Sequence, residues 1–133
     1  MELAGLIVGV TSVIIPAYNG INKLFDTVSN VKHYYQCLDN FWCQILTQKA
    51  KLRNECIFIF GNVFNDQDEL DAMLQDKNNP KWRDSDFQRK LLNHLGEAFE
   101  SRLAPFYIIN RILEDLEAKL EEFMPASLES QVS

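Results

Sequence analysis

No stretch of this sequence alternates apolar and polar residues with a period of two. With five glycines and four prolines it also has too few turn residues to punctuate a sheet. Those absences leave an all-α fold. Cysteine is scarce: Cys37, Cys43 and Cys56 are odd in number and show no paired spacing. That excludes a disulfide scaffold and fits reduced thiols in a cytoplasmic setting. No glycine-rich loop follows a strand, so no phosphate cradle is indicated. Basic clusters are missing as well. Residues 1–64 carry five Lys/Arg and four Asp/Glu, and residues 65–133 carry eight and fifteen, so +1 and −7 make up the net −6. The pattern offers no basic face for nucleic acid and no polybasic patch for anionic lipid.

Charge itself is absent from residues 3–21, LAGLIVGVTSVIIPAYNGI. As a helix this run spans about 28 Å, just short of the roughly 30 Å hydrocarbon core of a bilayer. It is either the most deeply buried helix of a bundle or a helix able to leave the bundle for a membrane, with Leu3, Leu6, Ile7, Val10, Ile14 and Ile15 as the inserting residues. Leu3, Ile7, Val10, Ile14, Tyr18, Ile21, Phe25 and Val28 follow spacings of three and four, a stripe suited to a soluble bundle. Gly5 and Gly9 are four apart and would allow close approach to a neighbour. Pro16 cannot donate to the Ser12 carbonyl, so a kink or break is expected there. Only Glu2 precedes the run, and without a basic region it does not read as a secretory signal.

The rest of the chain reads as further helices. A long one is expected from about Val31 to Phe64, some 50 Å, with Tyr34, Leu38, Phe41, Ile45, Leu52, Cys56, Ile59 and Val63 as its stripe and Gln48 interrupting it. Trp42, Cys43, Leu46, Ile57 and Phe60 widen its apolar surface, so cover on more than one side is expected. A short helix is expected over residues 66–74, with acidic residues at its start. Asp84 reads as the N-cap of a helix over 85–94 that Gly96 ends. The last helix, 98–124, has Phe99, Leu103, Phe106, Asn110, Leu113, Leu116, Leu120 and Phe123 on its core stripe. Pro105 should bend or divide it, and Asp115 stands four before Lys119, the favourable order for an ion pair. The architecture is an elongated bundle of three long helices plus one or two short ones, residues 1–124, followed by a flexible tail over 125–133. Phe41, Ile45, Leu52, Ile59, Leu113 and Leu120 are expected to be buried.

Catalytic and metal chemistry find little support. His33 and Cys37 are four apart, a spacing able to hold a metal, but no CxxC or HxxxH pair completes a set. Asp66, Asp68, Glu69 and Asp71 lack the spacing of a calcium loop and read as a solvated helix start. No cofactor is expected, and the chain is read as a non-enzyme. Arg53, Asn54 and Glu55, inside the apolar long helix, read either as a polar switch holding the bundle closed, with Arg53 and Glu55 as its charges, or with Arg53 and Asn54 facing solvent or capping a neighbouring helix end. Trp82 reads as an anchor packing a loop onto the core or as a partner-binding aromatic.

Residues 4–10 (AGLIVGV), 52–56 (LRNEC), 80–84 (PKWRD) and 91–99 (LLNHLGEAF), taken in order, resemble the N-terminal helical domain of fungal proteins related to prion-inhibition-and-propagation proteins, a group similar to the HeLo and HeLo-like domains. The resemblance covers about residues 3 to 123. It implies a signalling module of fungal self/non-self recognition, or heterokaryon incompatibility, and programmed cell death, acting through oligomerisation. It also implies protein partners or self-association, with membrane lipids as a further partner. The element expected to enter membranes is the apolar N-terminal helix, residues 3 to 21. The module would be cytoplasmic and become membrane-associated on activation. From a different class stands a stable adaptor or regulatory bundle that binds a partner protein and never opens.

Overall fold

The computed structural model describes residues 3–32, 35, 38–61, 63–64 and 66–123. The expected tail over 125–133 lies outside them, as do His33, Tyr34 and Cys37. Five α-helices follow in order: α1 (Leu3–Val31), α2 (Asp39–Phe60), α3 (Gln67–Gln75), α4 (Ser85–Leu95) and α5 (Phe99–Phe123). Short 3-10 turns lie at Pro80–Arg83 and Gly96–Ala98. No strand occurs among the described residues, and the protein is all-α.

Helices α1, α2 and α5 pack on one another, and α3 and α4 close against α1. Contacts between α1 and α5 advance together along both helices. Gly9 faces Phe99 and Leu103, the Val13 carbonyl meets Asn110, Gly20 faces Leu113, and Lys23 reaches Glu117 at 3.5 Å. These two helices are therefore parallel. Against α2 the order reverses: Lys32 lies over the Trp42 ring, and Phe25 lies beside Trp42 and under Lys49. The expected close approach through Gly5 does not occur, since a β-carbon there would meet nothing within 4 Å. The tight position is Gly9, where one would stand 2.8 Å from the Phe99 ring.

The uncharged run is α1, and its burial follows helical spacing. Leu6, Val10, Val13, Ile14, Ile15, Ala17, Ile21, Leu24, Val28 and Val31 are buried. Gly5, Val8, Ser12, Pro16, Asn19, Lys23, Asp26 and Asn30, three or four apart, form the exposed stripe. Pro16 does not break the helix, which continues from Leu3 to Val31. The carbonyl that Pro16 leaves without an amide belongs to Ser12, which lies on the same exposed stripe, where solvent can serve it. Pro105 likewise lies within an unbroken α5, and the carbonyl it deprives is that of exposed Ser101.

The expected second helix, from Val31 to Phe64, is too long at both ends. It begins at Asp39 and stops at Phe60, with Gly61 at φ 55° as its C-cap. Leu38 precedes it as a buried residue with no side-chain cap. Leu38, Ile45, Leu52, Cys56, Ile59 and Phe60 are buried, whereas Phe41, in the first turns at the end of the bundle, is half-buried. Gln48 is 6% exposed, and its Oε1 has no hydrogen-bond partner among the described residues. The shorter helices start as their side chains dictate: Asp66 accepts from the Glu69 amide at 2.7 Å, and Asp84 accepts from the Asp86 amide at 2.9 Å. The expected Asp115–Lys119 pair is not formed; among the described residues the i,i+4 ion pair is Asp86–Lys90, at 3.3 Å.

Candidate functional site

Helix α3 is only nine residues long and covers α2 incompletely. Tyr18, Ile21 and Asn22 of α1, residues 46–57 of α2, and Gln67, Leu70, Asp71 and Leu74 of α3 line the resulting open groove of about 910 Å³. Its floor is apolar, built from the inner edges of Ile21, Leu52, Cys56, Leu70 and Leu74, all buried. Along the α2 wall stand Leu46, Ala50, Arg53 and Ile57, spaced four, three and four residues, so they share one helix face. Leu46 and Ile57 are 41% and 57% exposed, a large apolar surface for side chains of that size. α2 is covered on more than one side, as expected, by α1, α5 and α4, but the side bearing Leu46 and Ile57 is open among the described residues.

The polar groups of the groove divide into occupied and free ones. Asp71 accepts from Gln67 Nε2 at 3.0 Å and from the Tyr18 hydroxyl at 3.4 Å. The Lys49 ammonium lies 3.9 Å from the centre of the Phe25 ring, where the ring's negative face attracts it. Arg53 is exposed and forms no ion pair among the described residues. Cys56 is the one thiol in the lining among the described residues. Burial, reinforced by the nearby charges of Glu55 and Asp71, pushes it up to about 12, so at neutral pH it is a protonated, inert group. The groove thus holds its thiol protonated and Asp71 hydrogen-bonded, and leaves Arg53 without an ion pair among the described residues.

The other residues singled out from the sequence lie elsewhere. Leu6, Val10, Ile14 and Ile15 are core residues of the bundle and Ile7 is partly buried against it; the Leu3 side chain lies outside the described set. Glu55 is half-buried next to the groove-lining Asn54 and Cys56. Trp82 is 1% exposed and sits among Phe60 and Phe87, with ring centres 6.4 and 5.7 Å away. Its Nε1 donates to the Met73 carbonyl at 2.9 Å and to that of Asp76 at 3.2 Å, closing the end of α3, and Gln88 Nε2 donates to the Trp82 carbonyl at 2.8 Å. Lys81 beside it pairs with Glu69 at 2.7 Å, and that hydrogen bond holds the ammonium's pKa above its usual value. The structure thus brings Arg53 and the flank of Glu55 to the groove and keeps Trp82 in the core.

Among the described residues no group of three His, Cys, Asp or Glu comes together that could hold a metal ion. Among the described residues one helix, Gly5–Val31, is long and apolar enough to cross a membrane by length and composition, a property shared with core helices of soluble proteins. No family model, curated protein or solved structure matches the chain.

Proposed function

We propose that this chain is a non-enzymatic cytoplasmic module that binds a partner protein while its bundle stays closed. The observation that carries this reading is the position of α1, which packs against all four other helices. Nine of its Leu, Ile and Val side chains are buried. At about 1.5 to 3 kcal/mol each, they represent on the order of 13 to 27 kcal/mol of burial. Domain stabilities of about 5 to 15 kcal/mol are smaller than most of that range. Removing α1 from the bundle would therefore remove the fold unless another apolar environment received both the helix and the core it leaves.

A second reading has its own observation. Within Gly5–Val31 an eighteen-residue window has a mean hydropathy of 1.3, and the first charge is Lys23. Together with the resemblance to HeLo-like domains, this supports a fungal cell-death module that oligomerises, releases α1 and perturbs a membrane. Deleting residues 2–21 separates the two. Under the adaptor reading the truncated protein loses its helical dichroism, and the intact protein leaves dye-loaded liposomes sealed even when forced to oligomerise. A truncated protein that stays folded, paired with an intact one that leaks liposomes and kills an expressing fungal host, would replace the first reading with the second.

A further inference from the structure

We propose that the groove between α1, α2 and α3 receives an amphipathic helix of a partner protein, and that this helix carries a carboxylate within its apolar face to meet Arg53. The inference rests on the partner-binding reading and names its site. Leu46, Ala50 and Ile57 stand on one face of α2 over eleven positions, or about 16 Å, which is three turns of helix. Apolar anchors at that spacing match a helix laid into a groove, and the small Ala50 in the middle lets a second backbone come close. The ends of the row, Leu46 and Ile57, remain substantially exposed.

Charge narrows the partner. The molecule carries a net −6, yet the α2 wall presents Lys49 and Arg53. Lys49 is engaged over the Phe25 ring, whereas Arg53 has no carboxylate partner among the described residues. Its planar fork of donors suits a carboxylate. Asp71 on the opposite wall already holds Gln67 and Tyr18 and would repel a second carboxylate. The acidic residue of the incoming helix therefore belongs on the α2 side, between anchors that meet Leu46 and Ile57.

The test uses the full chain and a fluorescein-labelled, helix-stapled peptide of about fifteen residues. Its apolar face bears leucines at three-and-four spacing with one glutamate among them; twin peptides carry glutamine or lysine there. Anisotropy should show the glutamate peptide binding roughly three- to fivefold more tightly than the glutamine twin, the scale of an exposed ion pair. Arg53→Glu should reverse the order in favour of the lysine twin. Ile57→Asp should weaken binding about tenfold or more while leaving the thermal midpoint in place. Equal binding of all three peptides, no saturable binding, or indifference to Ile57→Asp overturns the proposal. Binding that survives Ile57→Asp and is lost in Phe58→Asp, on the outer side of α2, leaves partner binding standing and removes only the groove. Two further results also overturn it. One is a dimer in sedimentation that Ile57→Asp dissociates, which assigns the groove to a second copy; the other is oleate displacing the peptide with higher affinity, which assigns it to a lipid.

Discussion

The imidazole of His94 occupies the place where a side chain on Gly61 would begin. A β-carbon at Gly61 would lie 2.6 Å from the ring, and His94 Nε2 stands 3.1 Å from the carbonyl oxygen of Phe58 in the last turn of α2. A carbonyl only accepts, so Nε2 carries the proton in this contact. The ring thereby ties the end of α4 to the end of α2, and Gly61 serves it twice, through its φ of 55° and through its missing side chain.

Gly96 has nearly the same φ, 54°, but open space around it, which makes it an internal control. Gly96→Ala should cost about 1 to 2 kcal/mol for the positive φ. Gly61→Ala should cost roughly 1 kcal/mol more, because the ring must also move. In a His94→Ala background that excess should vanish. Denaturant midpoints measure all four proteins, and equal costs at the two glycines would contradict the packing argument.

Asn110 donates its side-chain amide to the Val13 carbonyl at 3.0 Å, across the parallel α1–α5 contact. Asn110→Ala should lower stability by about 1 kcal/mol. Pro16→Ala restores a donor for Ser12 on the exposed stripe and should raise stability by up to about 3 kcal/mol. Chemical unfolding checks both signs, and a destabilised Pro16→Ala protein would mean that the proline shapes the α1 surface that Asn110 reads.

Trp82 combines a buried ring with a hydrogen bond that closes α3. Trp82→Ala should cost roughly 3 to 5 kcal/mol. Trp82→Phe keeps most of the ring packing but leaves the Met73 carbonyl without the indole, and should cost about 1 to 3 kcal/mol. Calorimetry of the two variants separates packing from hydrogen bonding. A Trp82→Ala protein of normal stability that has lost a partner would return this residue to a binding role.

The Cys56 thiol gives a pH signature. Its folded pKa, about 12, lies above its ordinary value of 9.0, so between those limits the unfolded chain gives up the proton while the folded one keeps it. This contribution is fully present below pH 9 and is lost as the pH rises, by up to about 1.4 kcal/mol per pH unit. Lys81 is also raised, from 10.5, and its contribution falls away only above that value. Cys56→Ala should therefore flatten the stability curve between pH 9 and 10.5. With iodoacetamide at pH 8, peptide mapping should find exposed Cys43 modified and Cys56 modified only on unfolding. Equal rates would show that the groove floor opens.

The helical class, the cap at Asp84, the acidic start of α3, the stop at Gly96 and most of the core stripes of α2 and α5 were legible in the chain, because a period of 3.6 and a capping carboxylate are local properties. The prolines divide neither α1 nor α5, for an equally physical reason. Their cost depends on which side of the helix the orphaned carbonyl faces, and both Ser12 and Ser101 face outward. The second helix is shorter than its sequence suggests because its apolar stripe points past both ends. Its C-terminal limit comes from Gly61 packed under a histidine 33 positions away in the chain.

The groove was half legible. Leu46 and Ile57 were visible as apolar surface beyond the core seam, and Arg53 as a charge within it. That α3 would stop after nine residues and leave that side open could not be read from α2 at all. Sequence alone determined that α1 would be helical and uncharged, since both are properties of residues 3–21 themselves. Only the tertiary structure decided which of its faces met solvent and that four other helices would cover the rest. Burial depends on what arrives from elsewhere in the chain, and no run of residues carries that information by itself.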